Sequence, residues 1–255
     1  MDDRRKQREK DYHKRLYADD PAVREPAAKY YSIAGETRRH FTDLVIRYGR
    51  GKRLLEYGCG DGSYAALYAR NGAQVTGIDI SEEGIGAARA AAAAAGLEVE
   101  YRVMDAERLQ FEANSFDVVA GTSILHHLDL ERCYVELARV LRSDGHAVFI
   151  EPLGHNPLHN LYRRMTPAMR TPDEHPFRMA DLALAGEYFE QVGAAYFHLF
   201  TLLAVPLRKL PGFAPVLAAL RRVDHAVLAA IPALRPYAWM AVLDLARPRD
   251  RVAAP

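Results

Sequence analysis

Glu56-Tyr57-Gly58-Cys59-Gly60-Asp61-Gly62, followed at Asp79 by a further acid, is the part of this sequence whose residue types and spacing could do chemistry. Glycines at 58, 60 and 62 let a ligand come close to the backbone. An acid about 20 residues on, at the tip of the next strand, can accept hydrogen bonds from ribose hydroxyls. Two positions narrow the ligand. A dinucleotide fingerprint, G-x-G-x-x-G, needs glycine at 63, and Ser63 stands there. Glu56 puts a carboxylate beside the turn, where it would repel a pyrophosphate and attract a cation. The turn therefore favours a cationic nucleoside without phosphate, and an NAD-dependent reaction is disfavoured.

Those residues need strands to hold them. RLLEY reads as a first strand, and YAALYARNG as a helix stopped at Asn71-Gly72, because glycine adopts the left-handed conformation that ends helices. QVTGIDI reads as a second strand. Ser81 is placed to cap the next helix, with Glu82 and Glu83 in its positive first turn, and an alanine-rich run ends at Gly96. EVEYRVMD reads as a third strand. FDVVAGTS, after an Asn114-Ser115 turn, reads as a fourth, residues 130–142 as a helix and 145–151 as a fifth strand. Strands alternating with helices predict right-handed βαβ units and a parallel sheet.

After Glu151 the regularity lapses. Residues 152–176 hold five prolines and are too long for an ordinary connection. Residues 178–192 read as helical and 194–203 as a sixth strand. Residues 206–235 read as an apolar and basic helical stretch broken by Pro211, Pro215 and Pro232, and 237–246 as the final strand. The organisation expected is an N-terminal helical arm or lid at 1–50, an α/β domain at 51–247 with inserts at 152–176 and 204–235, and a disordered tail at 248–255.

S-adenosylmethionine (SAM) carries an adenosine, an ammonium and a sulfonium and no phosphate, so it fits the turn. LLEYGCGDGSYAALYARNGAQVTGIDIS resembles the first motif, and its sequel, of class I SAM-dependent methyltransferases, especially the broad UbiE-like (methyltransferase type 11/25) group. RVMDAERLQFEANSFDVVAGTSILHHL resembles their next two motifs and ELARVLRSDGHAVFIEP the one after, so the likeness runs from about residue 52 to 152. It implies a Rossmann-like, doubly wound sheet of seven strands in the order 3-2-1-4-5-7-6, the last antiparallel, with helical lid insertions. It also implies roles. Gly58 and Gly60 would pass close to the methionine part, with Glu56 orienting its ammonium. Asp79 would bind the ribose hydroxyls and Ile80 would pack on adenine. Asp105, with the Ala106 backbone, would recognise the adenine amino group. Thr122 and Ser123 would line the sulfonium region, and Tyr31 and Met104 complete the cofactor set.

Methyl transfer asks for an acceptor held in line with the sulfur–methyl bond and, for an oxygen or carbon nucleophile, a base. The candidate bases are His126 and His127 after strand four, and His155 and His175 in the first insert. Either member of the His126-His127 pair could instead pack in the core, and His175 could be a loop-structuring residue between Pro172 and Pro176. His155 and His159 have helical metal-ligand spacing, but Pro157 lies between them and no cysteine cluster supplies further ligands, so no metal site is expected.

Composition bounds the rest. Net charge is +1, which gives no bulk electrostatic argument for nucleic acid. Gly121-Thr122-Ser123-Ile124 also stands where an amino-methylating nucleic-acid enzyme would carry (N/D)PP(Y/F). Two distant cysteines and a charged start without an apolar core predict a reducing, cytoplasmic setting. The uncharged run 191–207 is slightly short for a membrane span and reads as a strand and connector. The second insert mixes Leu, Ala, Val and Pro with Arg208, Lys209, Arg221, Arg222 and Arg235. Its readings are a core helix with snorkelling arginines, a lid over an apolar pocket, or a surface helix that touches a membrane peripherally without stable insertion. The expected partner is a small apolar or amphipathic organic acceptor, such as a secondary metabolite, quinone or lipid-like precursor. A monomer or homodimer is expected. The alternatives are a SAM-binding protein that does not methylate, in a regulatory or cyclisation role, and an RNA or protein methyltransferase.

Overall fold

The computed structural model describes residues 5–8, 32–165 and 175–249. Seven strands form one sheet in the order β3-β2-β1-β4-β5-β7-β6. They are β1 (Arg53–Tyr57), β2 (Gln74–Asp79), β3 (Glu100–Val103), β4 (Phe116–Thr122), β5 (Leu141–Pro152), β6 (Phe189–Phe197) and β7 (Met240–Pro248). The first five pair in parallel, and β7 lies antiparallel to both β5 and β6. The order and the antiparallel strand are those implied by the methyltransferase resemblance.

The central strands are buried on both faces, so they read as continuous apolar runs; β4, for example, buries Phe116, Val118, Val119 and Ala120. The helices that cover them carry one apolar stripe each. In α4 (Leu130–Val140) the buried residues are Leu130, Cys133, Tyr134, Leu137 and Val140, a helical face repeating at three and four, capped by the Asp129 side chain. In α3 (Glu82–Ala94) the Ser81 hydroxyl accepts the Gly84 N–H at 3.1 Å, and Gly96 is left-handed just past the end. α2 (Ser63–Arg70) packs beside β2, and both cysteines are buried and unbonded. Within the expected N-terminal arm, α1 (Gly35–Gly49) is a core helix: Thr37, Phe41, Val45 and Gly49 form its buried ladder against β4, β5 and β7.

Several boundaries differ from the sequence expectation. The fourth helix stops at Val140, and Leu141 already pairs with Phe116 as strand, with a register break before Val118. The helix expected over 178–192 is only α6 (Met179–Ala185). It ends at Gly186, and the apolar spacing beyond belongs to β6, which pairs from Phe189 because Pro248 lies opposite. The sixth strand is therefore 189–197 rather than 194–203. The apolar residues after it wind into a 3-10 helix (Thr201–Leu207) because His198 takes φ +68° and turns the chain out of the sheet. The final strand runs from 240 to 248, into what was expected to be tail. In the first insert Pro157 opens α5 (Pro157–Met165) instead of breaking a helix, since proline suits the first turn. In the second, α7 (Phe213–Ala230) carries Pro215 within its first turn, and a 3-10 helix (Pro232–Tyr237) follows. Residues 166–174 and 250–255, and most of 1–31, lie outside the described residues.

A polar knot fastens α7 to the sheet. Asp224, buried, accepts the N–H groups of Leu199, Phe200 and Thr201 at 3.1, 2.6 and 3.2 Å and the Thr201 hydroxyl at 2.9 Å. His198 sits between Thr37 on α1 (2.6 Å) and Thr201 (3.0 Å). Burial, with a smaller push from the Arg221 charge, lowers the His198 pKa from 6.5 to about 3. An imidazole that must stay neutral when folded costs stability as acid charges its unfolded form. Stability at this position is therefore complete above pH 6.5 and is lost as pH falls from 6.5 towards 3. Asparagine tolerates the positive φ, so His198→Asn should lose melting temperature less steeply than the parent across that window, measured by circular dichroism melts at stepped pH.

Candidate functional site

The loops at the carboxyl ends of β1, β2, β3 and β4 enclose a cavity of about 360 Å³. Open parallel sheets bind ligands at this edge. Gly58, Gly60 and Gly62 all have positive φ. At Gly58 (φ +75°) a Cβ would meet Ile124 Cδ1 at 2.3 Å, so the turn passes under the loop after β4 only because there is no side chain. Gly58 and Cys59 donate to the Ile78 carbonyl at 2.9 and 2.8 Å, which leaves the turn clamped on β2.

Asp79, at the tip of β2, ties that turn to the next one. Its Oδ2 accepts the Gly60 N–H and its Oδ1 the Ser81 N–H, both at 2.9 Å. Glu56 is 5% exposed, and its Oε2 has no hydrogen-bond partner among the described residues. Burial, reinforced by the charges of Asp61 and Asp79 and opposed by the Ala65 backbone N–H, pushes its carboxyl well above the usual carboxylate range. A buried oxygen without a donor costs on the order of 1–3 kcal/mol. A cationic donor in the cavity would remove that cost. The Glu56 side of the cavity therefore fits the ammonium of SAM and does not fit a pyrophosphate.

The far wall comes from β3 and β4. The Met104 N–H donates to the Asp79 carbonyl at 2.9 Å, and the buried Tyr57 hydroxyl donates to the Ala106 carbonyl. Asp105 Oδ1 accepts the Glu107 N–H at 3.0 Å. Ser123 has φ +52° and donates to Ile150 at 2.7 Å. Glu56, Gly58, Gly60, Asp79, Ile80, Met104, Asp105, Ala106, Thr122 and Ser123 all line this one cavity. Tyr31 lies outside the described residues.

Comparison with known proteins gives likenesses to part of the chain. The methyltransferase domain family (Methyltransf_11) matches residues 55–149. A ubiquinone biosynthesis O-methyltransferase of Sinorhizobium fredii is 40% identical over 97 residues, which are 38% of this chain and 39% of that protein. Over residues 55–149 the chain is similar to methyltransferase domains. The chain spans less than half the length of the curated relatives it matches. Two solved structures extend the likeness of fold. A Pyrococcus horikoshii protein, PH0226, superposes with TM-score 0.60 at 20% identity, covering 92% of this chain and 98% of that one. The [4+2]-cyclase SpnF superposes with TM-score 0.54 at 24% identity, covering 82% and 80%.

The four histidines that are candidate bases part company. His127 lines the cavity. His126 is buried, with Nδ1 2.6 Å from Glu151 Oε2. His155 Nε2 accepts the Met179 N–H at 3.2 Å, so it holds the chain entering α6. The His175 N–H donates to the His126 carbonyl at 3.2 Å, and burial is the largest cause lowering its pKa. Neither His155 nor His175 lines the cavity, and neither does any residue of 199–239. Among the described residues no cluster of three metal-ligating side chains forms.

Three features were not found from the sequence. Glu151 is fully buried, and its Oε1 accepts Ile124 and Leu125 N–H at 3.0 and 2.8 Å. Glu107, also buried, accepts the Asp129 N–H at 2.9 Å; its only sequence signal is the D-A-E spacing after β3. A helical turn at residues 5–8 brings the Arg5 guanidinium onto Glu107 and the Lys6 ammonium onto Asp105, and both cations line the cavity. Nothing in the evenly charged arm marks these two residues.

Glu151→Ala removes the acceptor of three groups in a fully buried site. It should cost about 3 kcal/mol and lower the melting temperature by roughly 6–12 °C, read by differential scanning calorimetry.

Proposed function

We propose that this protein transfers a methyl group from SAM to a small, apolar or amphipathic organic acceptor by in-line displacement. The observation that carries the reading is the buried Glu56 carboxyl, whose Oε2 is unpartnered among the described residues, beside a glycine cradle and one strand away from Asp79. Bound SAM supplies a sulfonium-activated methyl group. Glu56 takes the ammonium, and Asp79 spends its remaining lone pairs on the ribose hydroxyls. Ile80 and Met104 flank the adenine, and Asp105 with the Ala106 backbone reads its amino group. Thr122 and Ser123 line the sulfur. His127, the one candidate base that lines the cavity, accepts the acceptor's proton. Ile124 and Leu128 beside it suit an apolar body and help exclude water.

The segment carrying Arg5 and Lys6 acts as a lid over the adenine end. Lys6 holds the Asp105 carboxylate and lies 3.6 Å from Glu107 Oε2. Its release or rearrangement is therefore coupled to cofactor entry.

A second reading, SAM binding without methylation, has one supporting observation: the [4+2]-cyclase SpnF shares the fold, and fold does not fix the reaction.

Calorimetric titration tests the cofactor. SAM and S-adenosylhomocysteine should bind in the micromolar range and NAD should not. Glu56→Gln and Asp79→Ala should each weaken SAM roughly 10- to 100-fold. Burial raises the Glu56 pKa, so cation binding releases a proton there. SAM affinity should rise as pH climbs above the ordinary carboxylate range, and Glu56→Gln should flatten that rise. NAD binding in place of SAM would sink the reading. Lys6→Ala should change SAM affinity and its association rate, with the fold intact. A screen for S-adenosylhomocysteine release over phenolic, quinol and terpenoid acceptors separates the two readings. With the acceptor found, His127→Ala should lower kcat about 100-fold or more at unchanged SAM affinity. SAM binding with no turnover on any acceptor would favour the second.

A further inference from the structure

The segment from 200 to 237 contributes nothing to the lining of the cofactor cavity, and its surface is unlike the rest of the molecule. Of the eleven large hydrophobic residues exposed among the described residues, eight lie in it: Phe200, Leu203, Leu207, Leu210, Val216, Val223, Ile231 and Tyr237. Leu203 is 58% exposed and Leu210 56%. Both sides of α7 are apolar. Leu217, Asp224 and Leu228 face inward, while Val216, Ala219, Val223, Ala226 and Ala230 form a solvent stripe on the opposite side at three- and four-residue spacing. A globular protein has no need of an apolar outer face on a covering helix.

Charge says what such a face fits. Between residues 191 and 243 the sequence has five basic residues, Arg208, Lys209, Arg221, Arg222 and Arg235, and one acid, Asp224. That acid is buried and committed to three backbone N–H groups. Lys209 and Arg222 are exposed among the apolar residues. Arg221 turns inward to Glu36 at 3.2 Å, and Arg235 donates to the Leu228 carbonyl at 3.0 Å. A two-fold contact with another copy would set this basic patch against itself. A surface that offers both acyl chains and negative headgroups satisfies both halves of the pattern.

We propose that the 200–237 surface is a peripheral docking face for an anionic lipid bilayer. Leu203, Leu207, Leu210 and the outer stripe of α7 enter the headgroup boundary, and Lys209 and Arg222 contact the headgroups. Among the described residues no helix is long and apolar enough to cross a membrane, so the contact is one of lying on the surface. The proposal stands whether or not the protein transfers methyl groups.

The test is co-sedimentation of the full chain with vesicles of phosphatidylcholine alone and of phosphatidylcholine with one-third phosphatidylglycerol. Partitioning should favour the anionic vesicles and weaken with added salt. Lys209→Glu with Arg222→Glu should reduce it about ten-fold or more, and so should Leu203→Ser with Leu210→Ser. Both pairs are at exposed positions, so melting temperature and SAM affinity should be unchanged. Failure to bind either vesicle would overturn the proposal, as would equal binding to both. Self-association by sedimentation velocity that the serine pair abolishes, without vesicle binding, would assign the face to a second copy instead.

Discussion

One carboxylate holds the two loops on which the site depends. Asp79 accepts an N–H from the glycine turn after β1 and another from the turn that starts α3. Three positive-φ glycines make the first turn adaptable and conformationally expensive. The acceptor at the end of β2 adds to the Ile78 carbonyl clamp in choosing one conformation of that turn. With it, the backbone of residues 58–62 is set before any ligand arrives, and ligand hydroxyls meet a carboxylate whose direction is already fixed. The parallel register of β1 on β2, which puts Tyr57 opposite Ile78, supplies the alignment.

Across the cavity, Glu151 performs the matching task for the loop after β4. It binds two backbone N–H groups and the His126 ring in a fully buried pocket, and so fixes where Ser123, Ile124 and His127 stand. Glu151 and Glu56 thus differ by environment. Glu151 is saturated with donors and is architectural. Glu56 lacks one and is available to a cation.

The residues around this cavity were legible because their signals are local. A glycine turn, an acid at a strand tip and a capping serine each follow from a few adjacent residues, and the strand alternation that aligns them is regular as far as Glu151. The strand order came from the family resemblance, since periodicity carries no order. The second half was legible only in outline. Periodicity extended α6 through residues that β7 claims as strand partners, a competition settled by a segment some 50 residues away. Pro157 and Pro215 were read as breaks because their place in a first turn is visible only once the turn exists. Arg5, Lys6 and Glu107 meet across about 100 residues of chain, a distance at which single-sequence spacing is silent.

The position of β7 also bears on how the chain is made. It fills the gap between β5 and β6, and among the described residues β6 pairs with no other strand. During synthesis the five parallel strands can assemble early, but β6 must wait, with its hydrogen-bonding groups unpaired on both edges, until residues 240–248 leave the ribosome. The nascent chain therefore passes through a stage with two unsatisfied sheet edges, β5 and β6, which are open to mispairing with neighbouring chains. A ribosome stall or a premature stop a dozen codons before that strand would leave a polypeptide with an intact cofactor cradle and an aggregating flank.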